Sequence, residues 1–182
     1  MENLHNSSDK IFTCIWAIPK KKEISSIIKI KQDLDRDLKG PNFPIHMTLS
    51  GDSDLTYFEL KRLMPEFKKT IPRFKVSYRG YGMKNAFFQA YYIEVILDKQ
   101  LRSIRSNIYK ILKKKSQLFM PHLSLHYGQE SNKKKEKLLD GLPFIEGSFL
   151  VDALYMVSFD SQSIEWKVLN TINLKKSEVF FR

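Results

Sequence analysis

Two five-residue stretches of this chain echo each other: Ile45-His46-Met47-Thr48-Leu49 and Pro121-His122-Leu123-Ser124-Leu125. In each, a histidine and a hydroxyl residue alternate with apolar residues. Such alternation marks a half-buried strand, whose residues i and i+2 point to one face. Each copy therefore presents an imidazole beside a hydroxyl and turns its apolar residues to a core. Each follows a helical pattern and sits by a proline (Pro44, Pro121), and the two histidines are about 75 residues apart. The echo constrains the fold to an imperfect duplication, with one His-strand from each half facing a shared cleft.

The surrounding pattern agrees. Phe12, Cys14, Trp16 and Ile18 alternate up to Pro19, a strand-like run. Ile24, Ile27, Ile28, Leu34 and Leu38 recur at helical spacing from Lys20 to Leu38, and Gly40-Pro41 closes that helix. After the first His-strand, Asp52, Ser53 and Asp54 offer an N-cap for a helix through about Thr70, with Pro65 as a kink or break. Arg73 to Tyr81 reads as a strand, and Phe87 to Leu97 as a long aromatic and β-branched one. A third helix runs from about Asp98 to Lys115. After the second His-strand come a short basic helix, Ser131 to Leu139, and three strands, Phe144–Leu150, Ala153–Phe159 and Ile164–Leu174. Asp160 to Ser163 reads as a hairpin turn. The expected fold class is α+β and bilobal: two pseudo-symmetric lobes of antiparallel sheet with flanking helices, the central cleft carrying two H-x-[ST] strands. Residues 1–10 read as a flexible tail and 11–182 as a single bilobal domain, which 182 residues suffice to build around a real core.

Two histidines and two hydroxyls in one cleft are the kit for phosphodiester hydrolysis without a metal. Imidazole titrates near pH 6.5, so one ring neutral and its partner protonated is the expected working state near pH 7. The neutral histidine takes a proton from water attacking phosphorus, and the protonated one gives a proton to the departing ribose oxygen. Thr48 and Ser124 are placed to donate to the non-bridging oxygens, where charge grows in the transition state. His46, His122, Thr48 and Ser124 are therefore the catalytic candidates. His126 shares the face of His122; it either ends its strand in solvent or meets substrate at the cleft edge. The spacing of His122 and His126 would suit a metal on a helix, but the segment reads as a strand and lacks the glutamate of H-E-x-x-H. In the run Phe87-Phe88-Gln89-Ala90-Tyr91-Tyr92, alternation sends Phe87, Gln89 and Tyr91 one way and Phe88, Ala90 and Tyr92 the other. The run reads either as core between the lobes or as one core face with the other a base-stacking platform at the cleft. His5 falls in the tail and has no role.

Composition narrows the class further. The net charge of +11, from 31 Lys and Arg against 20 Asp and Glu, suits a polyanionic partner. The individual lysine runs read first as solvated helix faces. Cys14 is the sole cysteine, so no intrachain disulfide or cysteine zinc cluster is expected. There is no phosphate-binding glycine loop, dinucleotide fingerprint or nucleophile elbow. No apolar run approaches the ~20 residues of a membrane span, and the first residues lack the order of a secretion signal. A cytoplasmic location, no membrane contact, no metal, no cofactor and a monomeric state are the expectations.

The residues also resemble a known family. Cys14-Ile15-Trp16-Ala17-Ile18-Pro19, Gly40-Pro41-Asn42-Phe43, Phe87-Phe88-Gln89, Met120-Pro121-His122-Leu123-Ser124-Leu125 with Tyr127, and Trp166 resemble the two-histidine (2H) phosphoesterase superfamily. Within it they are nearest to the plant- and yeast-type cyclic phosphodiesterases. The resemblance runs from Phe12 to Leu174. It implies metal-free opening of nucleoside 2′,3′-cyclic phosphates or ADP-ribose 1″,2″-cyclic phosphate, with His46, Thr48, His122 and Ser124 in the catalytic roles. Trp16, Phe87, Gln89, Tyr91, His126 and Tyr127 are the substrate-binding candidates. Two positions depart from the pattern: Ile45 stands where a proline usually precedes the first histidine, and His126 where a leucine is usual. Relatives in the superfamily also cleave 2′-5′ oligonucleotides, trim RNA ends or degrade cyclic-nucleotide signals. The expected partner is thus a nucleotide or short RNA with a cyclic or 2′-5′ phosphodiester; an RNA-binding module without catalysis is the alternative from another class.

Overall fold

The structure, a computed structural model, describes residues 11–53, 55–115, 117–160 and 163–176. The expected tail 1–10 and the middle of the Asp160–Ser163 turn lie outside them. The chain runs β1 (Ile11–Ala17), α1 (Ser25–Asp37), β2 (Met47–Ser53), α2 (Tyr57–Thr70), β3 (Phe74–Gly82), β4 (Tyr91–Val95), α3 (Lys99–Ile111), β5 (His122–His126), α4 (Asn132–Asp140), β6 (Glu146–Val151), β7 (Ala153–Asp160) and β8 (Glu165–Asn173). Short 3-10 turns occupy Lys21–Glu23 and Phe87–Gln89.

The strands form two four-stranded antiparallel sheets, ordered β2-β1-β7-β8 and β5-β4-β3-β6. The α+β architecture of two sheets with flanking helices is the expected one. Each His-bearing segment lies at an edge: His46 leads directly into β2, and His122 opens β5. In each half a strand, a helix and an antiparallel edge strand follow in order, β1-α1-β2 and β4-α3-β5.

The helices cross between the halves. Helix α1 packs on β5 of the second sheet, and α3 packs on β2 of the first. Ile27, Ile30 and Leu34 of α1 and Leu101, Ile104 and Ile108 of α3 join one core with Met47, Leu49, Ile93, Leu123 and Leu125. Removing such side chains from water supplies the main stabilisation, ~1.5–3 kcal/mol each. Two lysines tie the same crossings. Lys31 of α1, buried, donates from Nζ to the carbonyl of Leu125 in β5 at 3.0 Å. Lys114, just past α3, donates to the carbonyl of Gly51 in β2.

Several boundaries differ from the sequence expectation. Helix α2 is capped by Thr56 rather than by 52–54. The Thr56 hydroxyl accepts from the Glu59 N–H, and the Glu59 carboxylate accepts from the Thr56 N–H at 2.8 Å, a reciprocal capping box. Pro65 lies inside α2 without ending it. Helix α3 stops at Ile111, and Lys113 follows in the left-handed region at φ 53°. The expected strand from Phe87 is broken: Gln89 N–H bonds back to Ala86 at 3.0 Å, and only Tyr91–Val95 is extended. No helix among the described residues is long and apolar enough to cross a membrane.

Candidate active site

The two sheet edges meet at the echoed motifs. Strand β1 pairs with β2 up to Ala17↔Met47, so the His46 carbonyl lies just past the last rung of its own ladder. It accepts instead from the Ser124 N–H of β5, at 3.1 Å. One backbone hydrogen bond thus joins the first motif to the second and brings both imidazoles onto one cleft. That cleft has a volume of about 280 Å³. Its walls include Trp16, His46, Thr48, Phe88, His122 and Trp166.

Both imidazoles are anchored alike. His46 Nδ1 lies 2.8 Å from the carbonyl of Pro44, and His122 Nδ1 lies 2.9 Å from that of Met120, in each case two residues earlier. A carbonyl only accepts, so each Nδ1 carries the proton and each neutral ring offers Nε2 as its acceptor.

Their surroundings are unequal. Trp16 stacks on the His46 ring at 3.5 Å and 14°, and Phe43 meets it edge-on at 5.6 Å. The Tyr127 hydroxyl lies 3.1 Å from His46 Nε2 and donates to Ser124 Oγ at 3.0 Å. His46 has no solvent exposure, and burial holds its pKa down at about 3; the Pro44 carbonyl opposes this, and the charges of His122 and Lys31 add to it. His122 is partly exposed, and its pKa is lowered by burial, opposed by the Met120 carbonyl and lowered further by the charge of Lys84. Both rings are therefore neutral near pH 7 in the free protein. Burial also raises the Tyr127 hydroxyl well above its usual range, so it stays a donor.

The other candidates divide. Thr48, Gln89, Tyr127 and Trp16 line the cleft. Ser124 does not: it is 2% exposed and reaches the cleft only through the Tyr127 hydroxyl. In this structure the Ser124 hydroxyl is engaged by that of Tyr127. Tyr91 and His126 also lie behind the cleft wall, opposite each other in the β4–β5 register with ring centroids 5.9 Å apart. His126 is 1% exposed, not in solvent, with Nε2 3.2 Å from Glu130 Oε1. The core side of the β5 end claims both residues. Phe87 packs edge-on against Phe88 at 5.0 Å and stays off the cleft, whereas Phe88, 46% exposed, lines it. The 3-10 turn there replaces the alternation from which the facing was read. Among the described residues no group of three His, Cys, Asp or Glu side chains converges to hold a metal.

Sequence reasoning gave no role to Phe159 and Cys14, which also line the cleft. Trp166 pairs with Phe159 across the β7–β8 ladder and stacks on it at 5.2 Å. The available signal was the alternation of Cys14, Trp16 and Ile18. Their face of β1 forms a small cluster with Val157 and Trp166, apart from the main core that takes Ile15 and Ala17.

No family model and no curated protein matches the sequence. Solved structures match the fold. E. coli LigT, in a structure with 3′-AMP, is similar with a TM-score of 0.62 at 12% identity, over 91% of this chain and 99% of LigT. TT0787 of Thermus thermophilus gives 0.59 at 15% identity, over 92% and 98% of the two chains. A third structure, described as a phosphoesterase, gives 0.60 at 13% identity, over 92% and 99%. LigT has also been solved with phosphate, ATP and NADP+. This chain has the LigT-like fold, the architecture that the resemblance of the motifs implied.

Proposed function

We propose that the protein is a metal-independent phosphodiesterase of the two-histidine class. Its substrates are cyclic phosphates of small nucleotides, a nucleoside 2′,3′-cyclic phosphate or ADP-ribose 1″,2″-cyclic phosphate. The observation that carries this reading is the matched anchoring of His46 and His122. Two rings tied through Nδ1 to carbonyls, with Nε2 left for chemistry, line one cleft across the seam of the two sheets. That LigT, which shares the fold, has been solved with phosphate and with nucleotides supports a phosphate ligand here.

The unequal burial supports one assignment of roles. His46, the more strongly depressed ring, is the base. A water oxygen bonds to phosphorus while its proton passes to His46 Nε2. His122, the more open ring, is the acid. A cyclic phosphodiester brings one negative charge, which favours the imidazolium and raises the His122 pKa on binding. As the bond from phosphorus to the ribose oxygen breaks, His122 Nε2–H protonates that oxygen, and a phosphomonoester is left. Thr48 donates to a non-bridging oxygen. Trp166 and Phe88 offer faces for a base.

The test is turnover of uridine 2′,3′-cyclic phosphate and ADP-ribose 1″,2″-cyclic phosphate in EDTA. His46→Ala and His122→Ala should each lower kcat by about 10²-fold or more, and Thr48→Ala by less. A rate near wild type in either histidine variant, or loss of wild-type activity on chelation, would overturn the reading.

A further inference from the structure

The loop 83–90, between β3 and β4, presents Phe88 and Gln89 to the histidine cleft. Lys84, near its start, lines with Gln89 and His122 an adjoining hollow of about 430 Å³. The loop has little core of its own. Lys84, Asn85, Ala86 and Phe88 are exposed, and burial begins only at Ala90. It closes on itself where the Lys84 N–H donates to the Gln89 carbonyl at 2.9 Å. Two bonds tie it to the rest of the protein. The Gly128 N–H, just past β5, donates to the Phe87 carbonyl at 3.1 Å. Lys135 of α4 donates from Nζ to the Lys84 carbonyl at 2.6 Å.

Lys135 is unlike the lysines around it. Helix α4 carries four, and Lys133, Lys134 and Lys137 are exposed, as a solvated basic face requires. Lys135 is 1% exposed and is the one residue of α4 that is buried. Among the described residues it forms no ion pair with a carboxylate. Burying an ammonium without a counter-charge is costly, and an apolar side chain of similar length would fill the space at lower cost. Stability alone therefore does not account for a lysine here. What the ammonium adds is a charge-assisted bond to the backbone at the root of the loop.

We infer that Lys135 is a positioning residue: from outside the cleft, its ammonium holds the loop 83–90 closed so that Phe88 and Gln89 meet the substrate. The inference rests on the proposed phosphodiesterase reading for what the cleft binds, and adds the group that fixes one of its walls. With this brace broken, the loop is open for part of the time, and substrate binds well only to the closed fraction. Apparent affinity falls by that fraction. In the complex the substrate itself keeps the loop closed, and neither histidine loses its anchor, so kcat is preserved.

The test compares Lys135→Met with wild type on uridine 2′,3′-cyclic phosphate. KM should rise about tenfold or more, the change in population expected when a hydrogen bond to a charged group is lost, while kcat stays near wild type. Lys135→Arg keeps a donor and should recover most of the lost affinity. Lys137→Met removes a charge from an exposed position of the same helix and should leave KM unchanged. Hydrogen exchange followed by NMR reads the loop directly. The Lys84 and Gln89 amides, bonded within the loop, should exchange at least about tenfold faster in Lys135→Met than in wild type. That measurement also stands on the wild-type protein alone: if these two amides exchange there as in an unstructured chain, the brace is overturned whether or not the variant folds. A fall in kcat with KM unchanged would overturn it too. Turnover and binding separate the two readings. Histidine-dependent hydrolysis, with KM and loop exchange unaltered in Lys135→Met, overturns the brace alone. Absence of histidine-dependent hydrolysis, with calorimetric binding of uridine 3′-monophosphate that weakens about tenfold in Lys135→Met, keeps the brace and overturns the catalytic reading.

Discussion

At the scale of single residues, His46 and His122 share an anchor but not an environment, and the difference is testable by pH. In the proposed mechanism the reacting complex carries a protonated His122, and kcat/KM reports the pKa of that group in the free enzyme, so kcat/KM falls as pH rises through it. Burial, and after the opposing Met120 carbonyl the charge of Lys84, keep that pKa below 6.5. The falling limb should therefore lie on the acid side of pH 6.5. Lys84→Met removes a charge that lowers the pKa, so the pKa rises and the limb moves to higher pH. A kcat/KM–pH profile on the cyclic mononucleotide, at constant ionic strength, checks both statements; an unmoved limb would mean that another group sets it. The histidines themselves were legible because two matching contexts for four histidines are improbable by chance. The hydrogen bond on Ser124 was not, because periodicity tells which face a side chain takes and not which partner comes to meet it. Tyr127, three residues on, bonds that hydroxyl from beyond the end of β5.

At the scale of elements, the loop between α1 and β2 does more than end a helix. A Cβ on Gly40 would sit 2.6 Å from His126 Cε1 and 2.6 Å from the Tyr127 carbonyl oxygen. The segment entering the first motif is thus pressed onto the end of the second, and a backbone oxygen cannot swing aside as a side chain can. Gly40→Ala is expected to destabilise the fold by about 1–3 kcal/mol, lowering Tm by about 2–4 °C per kcal/mol. Gly141→Ala, whose Cβ would meet only the Leu138 carbonyl oxygen at 3.6 Å, is the control and should shift Tm much less. Equal shifts in the two variants would remove the close packing from the argument. Sequence showed Gly40-Pro41 as a stop signal, since glycine before proline punctuates a chain whatever lies beside it. The space-filling reason for the glycine involves His126 and Tyr127, distant in sequence. The first and third helices were legible from their apolar spacing, the second from residues able to cap it and the fourth as a short basic run. Their ends were not, because Thr56, Lys113 and the Phe87–Gln89 turn depend on local hydrogen bonds that hydrophobic period does not encode.

At the scale of the molecule, the duplication read from the two motifs became two sheets, but the exchange between them left no trace in sequence. An apolar stripe says that a helix is buried; it does not say which sheet buries it. That α1 backs β5 and α3 backs β2 means that each half holds the other's histidine-bearing edge in place. Lys31 makes the exchange measurable. Its ammonium bonds the Leu125 carbonyl at 3.0 Å, inside the protein, and Asp35 at 3.0 Å, near solvent. Lys31→Met keeps the apolar bulk and leaves that buried carbonyl without its donor, which costs about 1–3 kcal/mol. Asp35→Asn weakens only a pair whose carboxylate is 44% exposed, worth about 0–1 kcal/mol. If the brace across the halves is what matters, Lys31→Met lowers Tm clearly and Asp35→Asn hardly at all. Because Leu125 lies on the strand that opens with His122, Lys31→Met should also lower kcat on the cyclic mononucleotide while Asp35→Asn leaves it near wild type. Equal losses in both variants would mean that the surface pair, and not the contact between the halves, is what Lys31 contributes.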